Sequence, residues 1–196
     1  MLESWSAVNN YFEIFVLGGL VAVAMIMLYV MFTEMTNFVQ TKVPFVPTAR
    51  KDLEDIVARV GITEQDVFYD LGSGNGKVIF VIAELTGAKS VGLQRAGWTQ
   101  TYAKIKKYLA SLGLGNKEIS QKIEFKSGNF FHSTWSPATV IYAYLYPFLM
   151  SQVAEKAKQD CPPGTKFIVR DFPILEWEPK EVWDTPSGHT MHLYIL

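Results

Sequence analysis

Residues 67–78 read VFYDLGSGNGKV: a short apolar run, Asp70, then Gly72, Gly74 and Gly76 at alternate positions ahead of Lys77. The run predicts a buried strand, and the following GKVIFVIAELTG predicts a helix that stops at Gly87. A glycine-rich turn between the two exposes backbone N–H groups and lets a ligand approach the main chain closely. Its spacing narrows the ligand. A dinucleotide turn is G-x-G-x-x-G, whereas this one is G-x-G-x-G, and a P-loop would need Ser or Thr where Val78 follows Lys77. An acid ahead of the first glycine suits a cationic amine better than a pyrophosphate.

Outward from this turn, strand-like and helix-like segments alternate. KSVGLQ (89–94), KIEFKSG (122–128), ATVIYAYLYP (138–147) and GTKFIVRDF (164–172) read as strands. WTQTYAKIKKYLASLG (98–113), with its basic residues on one side, and FLMSQVAEKAKQD (148–160) read as helices. EVWDT and HTMHLYIL, joined by PSG, read as a terminal hairpin. Ahead of the turn, the prolines of TKVPFVPT favour an extended path, Thr48 is placed to cap a helix over ARKDLEDIVARVG, and Gly61 to stop it. Alternation of this kind predicts an α/β fold: a mainly parallel seven-stranded sheet covered by helices, with an antiparallel hairpin at its C-terminal end.

The acid, the G-x-G-x-G turn and its strand–helix setting resemble the Rossmann-like class I S-adenosylmethionine-dependent methyltransferases. That resemblance implies S-adenosyl-L-methionine as cofactor, held by Asp70, Gly72, Ser73, Gly74 and Gly76, with Asp70 facing the methionine amine. In that superfamily the second strand ends in an acid that binds the ribose hydroxyls; Gln94 stands there instead. Asn129 and Phe130 in KSGNFF match the place of the adenine contacts.

The N-terminal end is different in kind. From Ile14 to Thr33 the chain has 20 residues without a charge or an amide, about 30 Å as a helix, which is the thickness of a bilayer's hydrocarbon core. No Lys or Arg precedes this run, which argues against a cleavable signal or a presequence. Lys42, Arg50, Lys51 and Arg59 follow it, so the positive-inside rule places the C-terminal domain on the cytoplasmic, or mitochondrial matrix, side of a single-pass anchor. The expected division is an anchor and linker over residues 1–40 and a catalytic domain over 41–196. Lysine and arginine (18) nearly balance aspartate and glutamate (19), so charge gives no reason to expect a nucleic-acid partner. No metal is expected: His189 and His192 fall on opposite faces of a strand, and His132 has no obvious partner. The single Cys161 allows no internal disulfide.

PFVPT (44–48), LQRAGW (93–98), YLYPFLM (144–150) and DFPILEWEP (171–179) resemble one family more closely. It is the small membrane-anchored protein lysine methyltransferases, which include the enzymes for the c-ring protein of ATP synthase and the adenine nucleotide translocase, and the resemblance covers about residues 14–184. It implies methyl transfer to a lysine of a membrane protein, with Phe45, Pro47 and Thr48 closing over the cofactor and Tyr144, Tyr146 and Pro147 forming the acceptor pocket. Two alternatives stay open from the residues alone. One is a methyltransferase acting on a lipid, quinone or other small membrane-resident molecule; the other is a cofactor-binding protein without catalysis.

Overall fold

The computed structural model describes residues 2–41, 47–95 and 97–196. The chain divides into two compact units, Met1–Lys42 and Val43–Leu196.

The first unit is one helix, α1 (Leu2–Thr41), longer than the apolar run that predicted it. Asn10–Thr33 has a mean hydropathy of 2.6, is nowhere buried by protein, and is long and apolar enough to cross a membrane.

The second unit is built on seven strands: β1 (Val67–Leu71), β2 (Lys89–Gln94), β3 (Ile123–Ser127), β4 (Val140–Ala143), β5 (Lys166–Arg170), β6 (Glu181–Asp184) and β7 (Thr190–Ile195). Their order across the sheet is β3-β2-β1-β4-β5-β7-β6. Neighbours from β3 to β5 run parallel, and β7 pairs antiparallel with both β5 and β6. The expected seven-stranded sheet with a terminal hairpin is therefore observed. Helices α2 (Arg50–Val60) and α3 (Lys77–Thr86) bury Leu53, Ile56, Ile79 and Ile82 against Phe68, Val140, Tyr142 and Ile168 on one face. Helix α6 (Pro147–Asp160) buries Met150, Val153 and Ala157 on the other, with Tyr69, Ile141, Phe167 and Trp135. Both glycine stops predicted from sequence have the required left-handed geometry, Gly61 at φ 65° and Gly87 at φ 73°.

Two local expectations need correction, and one helix was not foreseen. Thr48 does not cap α2: Ala49 holds the N-cap position without a side-chain bond, because the Thr48 hydroxyl is engaged elsewhere. A short helix, α5 (Lys117–Lys122), precedes β3 and is capped by the Asn116 side chain. Helix α4 (Trp98–Ser111) does not gather its lysines on one side: Gln100, Ala103 and Ala110 form its buried face, and Lys104 and Lys106 fall on opposite flanks of its exposed one.

Candidate active site

The glycine turn and the neighbouring strand ends converge at the carboxyl edge of the parallel strands, where ligands bind in open α/β sheets. The turn is fastened to β2: Gly72 and Ser73 each donate a backbone N–H to the Leu93 carbonyl, at 2.8 and 3.1 Å. Gly72, Gly74 and Gly76 have φ of 83°, 51° and 76°, so each needs a conformation that side chains disfavour. Gly76 is fixed twice, since a Cβ there would also lie 2.7 Å from the Phe125 ring. Gly92 in β2 is required by the same turn: a Cβ would come within 2.6 Å of Ser73 Oγ.

Asp70 is buried on β1, and burial alone raises its carboxyl to about 7. No cation among the described residues offsets it. The Ser73 hydroxyl is also buried, without a hydrogen-bond partner among them. Here are a carboxyl that lacks a counter-charge and a hydroxyl that lacks a partner, beside a glycine turn that admits close approach. These features fit the ammonium and carboxylate of a bound amino-acid moiety.

Gln94, at the end of β2, turns its Oε1 back to accept the Gly74 N–H at 3.2 Å. Its backbone carbonyl accepts from Gly128 N and from Gln100 Nε2, and Gln100 also reaches the Lys126 carbonyl. So the amide braces the turn rather than standing apart from it. Asn129 caps the short 3-10 turn Phe130–His132 by accepting from Phe131 N, and the Phe130 ring packs on Phe131 and Trp135. Pro47 is exposed and Thr48 buried; Phe45 lies outside the described residues.

A second arrangement spans β1, β4 and β5. Asp70, Tyr142 and Arg170 occupy the same sheet face, Tyr142 being the register partner of Asp70. Thr48 Oγ1 accepts from Arg170 Nη1 at 3.0 Å and shares a hydrogen bond of 3.0 Å with the Tyr142 hydroxyl. Burial holds that phenol well above its ordinary value, so it stays neutral. The Arg170 guanidinium lies 4.3 Å from the Tyr144 ring. Beyond it, Tyr144 stacks on Phe172 (6.4 Å, 10°) and Phe172 on Tyr146 (6.0 Å, 17°), giving a half-buried aromatic wall just past the ends of β4 and β5. Pro147 occupies the first turn of α6, where its missing N–H costs nothing.

Asp171 closes this group. Its φ of 62° and the Phe172 N–Arg170 O bond (2.8 Å) define a strained γ-turn at the end of β5. Its carboxylate contacts His189 Nδ1 at 3.2 Å and accepts from Thr190 N. Arg170 Nε is 3.5 Å from the same carboxylate, close enough to attract yet not aligned for a hydrogen bond. Tyr142, Arg170 and Phe172 are members of this site that sequence reasoning did not name.

A family model described as the ANTKMT methyltransferase domain matches residues 70–181. The chain belongs to this family. A protein-lysine N-methyltransferase of Saccharolobus islandicus is 30% identical over 158 residues, covering 79% of this chain and 94% of the relative. The Mus musculus lysine N-methyltransferase named for the C-type subunit of ATP synthase is 24% identical over 167 residues; the match covers 84% of this chain and 64% of the mouse enzyme. Among solved structures, an RNA methyltransferase from Salinibacter ruber, crystallised with S-adenosyl-L-homocysteine, superposes with a TM-score of 0.67 at 27% identity. That match covers 76% of this chain and 93% of the Salinibacter one. The ANTKMT-type chain is thus an enzyme of the class I methyltransferases with S-adenosylmethionine as methyl donor, as its glycine turn implied.

Gln94 is the residue at which this member departs from the superfamily's pattern. A carboxylate in its place would still accept the Gly74 N–H and would bind a ribose diol through charge-assisted hydrogen bonds, stronger than an amide's by about 1 kcal/mol. Gln94→Glu is therefore expected to tighten S-adenosylmethionine binding by about fivefold, measured by calorimetric titration. Unchanged or weaker affinity would count against a ribose contact at position 94.

Proposed function

We propose that the protein is a membrane-anchored protein-lysine methyltransferase that modifies a lysine of a membrane-associated protein. The observation that carries this reading is the aromatic wall Tyr144–Phe172–Tyr146, backed by the buried Arg170, beside the Asp70 turn. Flat rings with parallel planes suit the methylene stem and amine of a lysine. The names of the Saccharolobus and mouse relatives support the same acceptor. The anchor is supported by the length, hydropathy and lack of burial of Asn10–Thr33.

S-adenosylmethionine supplies an electrophilic methyl group on a sulfonium centre. Residues of the chain have three tasks: hold the donor, align an amine with it, and keep that amine unprotonated. We assign the first to Asp70, Gly72, Ser73, Gly74, Gly76 and Gln94, with Pro47 and Thr48 over the site and Asn129 and Phe130 at its adenine end. Alignment falls to Tyr144, Tyr146 and Pro147, together with Phe172. Positioning accounts for much of the acceleration in such a transfer. Burial keeps the Tyr144 hydroxyl above its ordinary value, so it is a neutral hydrogen-bonding group. Free lysine has a pKa near 10.4, and both desolvation against the rings and the Arg170 charge push it down toward the reactive neutral form.

The test is to incubate membranes with the enzyme and cofactor labelled in the methyl group. Label is expected in a protein band and, after acid hydrolysis, in methylated lysine. Label in extractable lipid or in RNA, with none in protein, would overturn the reading.

A further inference from the structure

Helix α4 is amphipathic in an unusual sense. Its buried face is made of Gln100, Ala103 and Ala110, while Tyr102, Ile105, Tyr108, Leu109 and Leu112 point to solvent. The first, second and fourth of these recur at helical spacing, one above another, and Leu112 continues the row beyond the helix end. Their exposure runs from 39% at Leu109 to 62% at Tyr108, and Leu114 beyond is 75% exposed. A contiguous apolar face of this kind marks an interaction surface.

Charge decides between a protein and a lipid occupant. Residues 98–117 contain Lys104, Lys106, Lys107 and Lys117 and no acid, in a chain whose net charge is −1. Lys104 donates to Ser127 Oγ at 2.7 Å and Lys106 lies 4.1 Å from the Phe80 ring, which keeps both ammoniums at the sides of the face. Lysine is depleted at protein interfaces. Apolar residues with tyrosine in the middle and lysines along the margins are the pattern of helices that lie in an anionic membrane surface.

We propose that the exposed face of α4 docks on the anionic headgroup layer of the membrane, as a contact separate from the apolar helix α1. The proposal rests on the reading of α1 as an anchor. Thr33 and Pro47 are fourteen positions apart in the sequence, so the catalytic unit of an anchored chain stays within about 50 Å of the bilayer. A tether alone leaves a domain free to rotate. A second contact through α4 holds one orientation of the cofactor turn, which is linked to the start of α4 through Gln94: its side chain accepts from Gly74 N and its carbonyl from Gln100 Nε2.

The full chain, with Cys161→Ser and either Leu112→Cys or Lys180→Cys, is labelled with an environment-sensitive fluorophore. It is then placed in nanodiscs of phosphatidylcholine with roughly one-third phosphatidylglycerol and doxyl lipid. Position 180 precedes β6, the strand at the opposite sheet edge from β3. The label at 112 is expected to be quenched several-fold more than that at 180. Ile105→Glu with Leu109→Glu, both exposed in the fold, should lower quenching at 112 to the level at 180 with the melting temperature preserved. Four results would overturn the proposal: equal quenching at the two positions, quenching at 112 that survives the double substitution, disulfide-linked dimers of the unlabelled Leu112→Cys chain, or shielding of 112 only after a protein partner is added. A chain that fails to co-elute with nanodiscs refutes the anchor as well, whereas co-elution with an unquenched label at 112 refutes α4 docking alone.

Discussion

Asp70→Asn is expected to weaken S-adenosylmethionine binding severely while making the unliganded protein more stable at neutral and alkaline pH. The carboxyl is 3% exposed and burial raises it to about 7, against an ordinary value of 3.8. Below the ordinary value Asp70 is protonated in both folded and unfolded chains. Between about 4 and about 7 the folded chain binds the proton and the unfolded chain does not, so stability falls with rising pH across that window. Above it, ionised Asp70 costs the unliganded fold up to about 4 kcal/mol, the shift of roughly three units converted at 1.36 kcal/mol each. The asparagine amide carries no such cost. Thermal unfolding should show the variant more stable than wild type at pH 8 and the gap closing toward pH 4. Cofactor affinity should behave in the opposite way. An ammonium supplies the charge that Asp70 lacks, and removing one partner of such a buried pair weakens binding by roughly two to three orders of magnitude. For the wild type, the dissociation constant should rise toward tenfold per unit as pH falls below about 7, with a proton released on binding there. A variant that binds cofactor normally would take Asp70 out of the site. Equal stability of the two proteins at pH 8 would mean that the carboxylate is already compensated.

What the amino-acid pattern disclosed is what local chemistry determines. The strand–turn–helix of residues 67–86 was legible because alternate glycines, with positive φ in the structure, have few other uses between an apolar run and a helix. The PSG hairpin and the glycine stops were legible for the same reason. Thr48 was misread because its hydroxyl is claimed by Tyr142 and Arg170, 94 and 122 positions away, and a partner at that distance outcompetes a local cap. Arg170 was not legible as a site residue, since a basic residue at a strand end is ordinarily a surface group; only the fold shows it almost fully buried against Tyr144. The lysines of α4 were misplaced because its buried face is built from small residues, so the apolar period tracked the wrong side of the helix. Gln94 was legible as a departure, and its hydrogen bond to Gly74 was not. α5 carries no apolar period at all and depends on the Asn116 cap.

Arg170→Met carries the other large expectation: a fall in the methyl-transfer rate constant of about a hundredfold, with cofactor affinity and folding little changed. Methionine fills much of the volume of the arginine side chain without its charge, and the carboxylate at 3.5 Å from Arg170, that of Asp171, is partly exposed, so no fully buried counter-charge is stranded. Thr48 retains Tyr142, and Asp171 retains His189 and the Thr190 N–H. What is lost is the cation 4.3 Å from the Tyr144 ring, and with it the brace that sets the first ring of the aromatic wall. A displacement of about 1 Å at an acceptor-positioning group is enough for a loss of that size. Arg170→Lys should recover little of the rate, because an ammonium can neither stack on Tyr144 as a plane nor reach Thr48 with the same fork. The pH–rate profile separates an acceptor role from a structural one. A fixed cation beside the lysine amine disfavours its protonated form, so its removal raises the amine's pKa and moves the ascending limb to more alkaline pH. A purely structural residue would lower the melting temperature and the rate together and leave the limb where it was. An unshifted limb with an unchanged rate would remove Arg170 from the acceptor side of the site.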